Sequence, residues 1–138
     1  MKKKQKPNWF WDEVVTSRML VAVDGFPDEK YADIVDHDLQ GGKIKSTNFR
    51  IDSISKHYTH EHKSSKSGVS FNKTLLSIMI TAIRRWFQGL VPLWTISIEG
   101  YPLMVVTTFD HFAYLRGCAN QAERKYGENY MPKVSDKE

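Results

Sequence analysis

The stretch around residues 73–88 constrains this chain most. Leu75, Leu76, Met79, Ile80, Ile83 and Phe87 recur at helical spacing, so one side of the predicted helix is broadly apolar and needs a partner layer. Asn72 can cap it, Gly89 stops it, and Arg84 and Arg85 sit near the C-terminal end, where cations are favoured. The period changes on both sides. Residues 56–63 and 92–99 alternate as strands do, with side chains two apart sharing a side. A helix with one apolar side, set between strands, calls for a sheet beneath it.

The remaining elements follow from caps and breakers. Asn8 can open a short helix that holds the cluster Trp9-Phe10-Trp11, with Asp12 and Glu13 in its first turn; the cluster covers the core or meets a second subunit. A brief apolar run, Met19 to Val23, leads to the turn Asp24-Gly25-Phe26-Pro27. A helix is predicted over 28–39, capped by Asp28, stopped by Gly41-Gly42, and striped with Tyr31, Ile34, Val35 and Leu39. Strands are expected near 49–51, over 56–63, briefly at 69–71, and as a hairpin over 92–99 and 103–107. Thr108 caps a last helix reaching about Lys125. The order helix, three strands, helix, two strands, helix predicts an α/β fold, a mixed five-stranded sheet flanked by helices. Residues 1–27 are expected to be a basic arm and N-terminal extension, 28–126 the core, and 127–138 a flexible tail.

A chain of 138 residues is expected to form one domain with a real core. No apolar run is long enough for a bilayer, and the basic start, Met1 to Pro7, lacks the apolar segment of a secretory signal. A lone cysteine, Cys118, excludes an internal disulfide and a multi-cysteine zinc cluster. These features predict an intracellular protein without membrane contact. The net charge of +4 is unevenly spread. Residues 10–39 hold two basic and eight acidic side chains, whereas 40–90 hold nine basic ones and only Asp52 and Glu61 as acids. A basic zone around two acids suits a phosphate-backbone partner that approaches a cation; the plainer reading is a solvated basic face.

Those two acids belong to Asp52-x(8)-Glu61-x-Lys63. On a strand Glu61 and Lys63 project together, with His57 and Thr59, while Tyr58, His60 and His62 point the other way. Two carboxylates can hold a hard divalent cation, and an ammonium beside them can offset charge on a phosphate in transition. Charges alternating on a strand also commonly mark a solvated face. His57, His60 and His62 with Glu61 have the residue types of a zinc site, but His57 faces away from the other two, so a regular strand cannot converge them.

Taken in order, Glu29, Gly41-Gly42, Ser46, Asp52, Glu61-His62-Lys63, Ala82 and Pro92 resemble the pattern of the PD-(D/E)XK nuclease superfamily, closest to the archaeal-type and phage Holliday junction resolvases. The resemblance spans roughly residues 28 to 116; Ile51 stands where the family usually has glycine or proline, and Lys30 where it usually has arginine. It implies a restriction-endonuclease-like core and a Mg2+- or Mn2+-dependent endonuclease. Asp52, Glu61 and the backbone carbonyl of His62 would bind the metal, with Glu29 in support, and Lys63 would act at the reacting phosphate. Lys30, Lys43, Lys45, Ser46, Arg50, Lys66 and Ser67 would hold the DNA. It further implies a homodimer making paired cuts in a four-way junction. The rival expectations are a non-catalytic DNA-binding module and a nuclease of the same superfamily acting on other branched or duplex DNA.

Overall fold

Asp12 caps the first described helix, its carboxylate accepting the Val15 amide at 2.8 Å; Asn8 and the cluster Trp9-Phe10-Trp11 lie outside the described residues. The computed structural model describes residues 12–36, 42–45, 51–65 and 73–127. Helix α1 (Glu13–Asp24) runs straight through the apolar stretch 19–23 and ends at Gly25, whose φ of 107° suits glycine. Thr16, Ser17 and Val21 are its buried residues, so the segment predicted as an N-terminal extension is built into the sheet's packing.

The helix predicted over 28–39 does not form across its described part. Asp28 caps only a single 3-10 turn, Glu29–Tyr31, and strand β1 (Val35–Asp36) follows a turn. The backbone is drawn into the sheet, with Val35 opposite Ile44 and the Lys45 amide donating to the Ile34 carbonyl at 2.8 Å. Tyr31 and Val35 still reach the core, but from a turn and a strand. Gly42 is therefore no helix stop. A Cβ there would lie 1.8 Å from the Ile54 carbonyl oxygen, and the Ile54 amide donates to the Gly42 carbonyl at 2.9 Å.

Strands β2 (Lys43–Ile44), β3 (Ser53–Ile54), β4 (Tyr58–Ser65), β5 (Val91–Ile98) and β6 (Met104–Thr107) complete a six-stranded mixed sheet in sequential order, one strand more than expected. Every neighbouring pair is antiparallel except β4 and β5, which run parallel from Tyr58 opposite Val91 to Ser65 opposite Ile98. Parallel neighbours need a crossover, and α2 (Lys73–Trp86) lies in sequence where one is required. A strand is described at 53–54; residues 46–50, which hold most of the strand expected near 49–51, and the strand expected at 69–71 lie outside the described residues.

The two sides of the sheet differ chemically. Met79 and Ile83 of α2 and Phe87 just beyond it pack with Ile44, Ile54, Trp94, Tyr31 and Val35 in one apolar core, the Tyr31 and Phe87 rings 5.4 Å apart. Toward α1 the buried residues are largely polar, with Ser17 Oγ bonded to Ser53 Oγ at 2.9 Å and His60 held between Ser53 and Thr95. Burying hydroxyls and imidazoles is tolerable only when they bond one another.

A second unit begins at Thr108. Thr108 caps α3 (Phe109–Tyr126) by accepting the His111 amide at 3.3 Å, as the sequence predicted, and no residue of α3 is buried. Among the described residues no helix is long and apolar enough to cross a membrane.

Candidate functional site

The β3–β4 hairpin brings the two acids of the basic region together. Ser53 pairs with His60 and Ile54 with Thr59, and the same register continues outward as the Asp52 amide donates to the His60 carbonyl at 3.0 Å. Asp52 thus comes to lie across from Glu61. Its Oδ2 accepts the His62 amide at 2.7 Å, which fixes the carboxylate where the hairpin ladder opens. Lys63, two residues beyond Glu61, places Nζ 2.9 Å from Glu61 Oε2. The alternation read from the sequence holds here.

Glu61 is more enclosed than its lysine partner, its side chain 12% exposed against 29% for Lys63. Burial pushes the Glu61 carboxyl above its ordinary range and the Asp52 charge pushes it further, while Lys63 and Lys43 pull it back; the net direction is upward. Lys43, on β2, forms an ion pair with Glu13 in the first turn of α1. Glu13, Lys43, Asp52, Glu61 and Lys63 are therefore linked charge to charge, drawn from α1, β2 and the β3–β4 hairpin.

Glu13 is the acid that reading the sequence missed. A signal existed: an acid directly after a capping Asp12, in the first turn of a helix. The apolar stripe of 28–39 points to Glu29 instead. Glu29 is exposed on its 3-10 turn, and its side chain takes no part in the interactions that join Asp52 and Glu61.

The expected phosphate contacts divide. Lys30 is exposed, its Nζ 5.1 Å from the centre of the Tyr31 ring, and Lys45 is exposed. Lys43 is turned to Glu13 and only 16% exposed, so it belongs to the charge cluster rather than to an outer surface. Ser46, Arg50, Lys66 and Ser67, like Gly41, lie outside the described residues. Ala82 is buried on α2, and Pro92 is buried near the start of β5.

The histidines do not converge on a zinc ion. His57 is exposed and bonds through Nδ1 to Asp24 Oδ1 at 2.7 Å. His60 and His62 turn the other way, both reaching Thr95 Oγ1 at 2.7 Å. Burial, then the neighbouring His62 and Lys43, lowers the His60 pKa to about 3. Among the described residues, no three His, Cys, Asp or Glu side chains stand close enough to hold a metal ion among themselves. Two facing carboxylates remain a fitting donor set for Mg2+, which keeps several waters and is commonly bound through one or two carboxylates together with substrate phosphates.

No protein-family model, no curated protein and no solved structure matches this chain.

Proposed function

We propose that this protein is a metal-dependent endonuclease with a restriction-endonuclease-like sheet, cutting DNA phosphodiester bonds at Asp52, Glu61 and Lys63. One observation carries the reading. The Asp52 charge lies close enough to disturb the ionisation of Glu61, and an ammonium lies 2.9 Å from that same carboxylate, inside a predominantly basic stretch. The fold is consistent with this: an antiparallel hairpin carries the acids, and its second strand is followed by a helix and a parallel neighbour.

Asp52 and Glu61, with the His62 carbonyl, would hold Mg2+ or Mn2+. The bound cation would supply Lewis acidity at the scissile phosphate and a nucleophile at neutral pH. The chain's own groups do the rest. The His62 amide fixes the Asp52 carboxylate, so that less orientational freedom is lost when a cation arrives. Lys63 holds Glu61 in the absence of a substrate and is placed to offset charge on phosphate oxygens when one binds. Glu13 takes the supporting role expected of Glu29, with Lys43 between it and Glu61. Lys30 and Lys45 would contact the backbone of the DNA, a four-way junction cut symmetrically by a homodimer.

The test offers a labelled four-way junction, linear duplex and single strand with Mg2+. Paired nicks in the junction alone are expected. Asp52→Asn and Lys63→Ala should each lower cutting at least ~100-fold, the scale of losing one charge-stabilising group, while junction binding stays near the parental level. Binding without cutting by the parental chain would favour a non-catalytic DNA-binding module. Cutting by either variant at the parental rate would overturn the role assignments.

A further inference from the structure

The polar side of the sheet contains an unbroken hydrogen-bonded chain that the proposed chemistry does not use. It runs from the Glu13 carbonyl to Ser17 Oγ, then to Ser53 Oγ at 2.9 Å, His60 Nδ1 at 2.9 Å, across the ring to Nε2, to Thr95 Oγ1 at 2.7 Å, and to His62 Nδ1 at 2.7 Å. Ser17, Ser53, His60, His62 and Thr95 are all buried.

Counting protons fixes its direction. A carbonyl oxygen only accepts, so Ser17 must give its single hydroxyl proton to Glu13. Ser17 then accepts from Ser53, which has spent its own proton and must accept from His60 Nδ1–H. A neutral imidazole protonated at Nδ1 bears a lone pair at Nε2, so Thr95 donates to His60. Thr95 in turn accepts from His62 Nδ1–H. Every link is determined by the one before it.

Both ends abut the charged cluster. At one end Glu13 pairs with Lys43; at the other the His62 amide holds Asp52, and Glu61 and Lys63 flank His62 on the same strand. We infer that Ser17, Ser53, His60 and Thr95 are positioning residues, a proton-ordered brace that sets the spacing between the first turn of α1 and the β4 residues of the charged site. This rests on the site reading above only where metal is concerned; the proton order stands apart from it.

Nitrogen-15 NMR of the histidine rings tests the order directly. In the parental protein His60 should be neutral with its proton on Nδ1. Ser17→Ala removes the anchor and frees the Ser53 proton to donate to His60 Nδ1, so the chain can reverse and His60 should move to the Nε2–H form, a change that mere loosening of the packing would not produce. An Nε2–H ring in the parental protein, or an Nδ1–H ring unaltered in Ser17→Ala, overturns the order.

The brace is read separately. Thr95→Val should speed hydrogen exchange at the His62 amide and weaken Mn2+ binding, each roughly tenfold, the lower end of what losing an outer-shell partner does to a metal site. Thr95→Ser, which keeps the hydroxyl, should restore both. Unchanged His62 exchange in folded Thr95→Val overturns the brace. Parental protein that binds no Mn2+ sinks the site reading alone, because the ring protons and the His62 amide still report on the chain.

Discussion

His60 is fully enclosed, and its ring nitrogens already have partners, so a second ring proton has nowhere favourable to go. Its pKa of about 3 in the folded chain compares with about 6.5 when exposed to water. The unfolded chain therefore binds a proton first. The stability tied to this neutral ring is fully present above about pH 6.5 and is lost as pH falls toward 3. At pH 5 the loss should be about 2 kcal/mol, seen as a lower melting temperature than at pH 7.5. A melting point that does not move between those values would show that His60 is not held neutral. Gly42 offers a second residue-scale test. Any Cβ there meets the Ile54 carbonyl, so Gly42→Ala must push β3 aside, at a cost of about 1–3 kcal/mol or more. Urea unfolding should show a lower midpoint with an unchanged slope.

At the scale of elements, α1 is clamped at both ends. Glu13 pairs with Lys43 at its start, and Asp24 at its end accepts from Ser55 Oγ, the His57 amide and His57 Nδ1, each at 2.7 Å. Burial raises the Asp24 pKa, but the bonds from Ser55 and His57 outweigh it and hold the carboxyl below its ordinary range. The stability tied to the ionised Asp24 is thus present above the ordinary aspartate range and is lost only as pH falls through its lowered folded-state value. Asp24→Ala should cost about 1–3 kcal/mol, because the buried Ser55 hydroxyl is left without its acceptor, and amides of α1 should exchange faster than those of α2. Helices α2 and α3 and strands β4, β5 and β6 were legible in the sequence, since their periodicity and caps act locally. Residues 28–36 were not. Tyr31, Ile34 and Val35 satisfy a helical stripe and equally a buried turn followed by a strand, and pairing with β2 decided between them.

For the whole molecule, the division of charge matters more than its total. Acids dominate residues 10–39 and bases residues 40–90, yet the fold crosses that division by pairing Glu13 with Lys43. The cations left outward, Lys30 and Lys45 among them, are the ones that would meet phosphates in the proposed DNA complex. Neutralising either should flatten the dependence of log Kd on log salt by about 0.9 for each phosphate that the lysine neutralises, whatever the DNA sequence. An unchanged slope would remove that lysine from the proposed DNA surface. The sequence by itself determined the alternation of β4, hence the shared side of Glu61 and Lys63, and the amphipathic helix that follows, because both depend on spacing along a few residues. Only the tertiary structure decided which distant groups join them. Asp52 reaches Glu61 through hairpin register, Glu13 and not Glu29 arrives through helix packing, and His60 meets Ser53 and Thr95 across strands. Register and packing are set by burial summed over the whole sheet, which no short stretch of sequence contains.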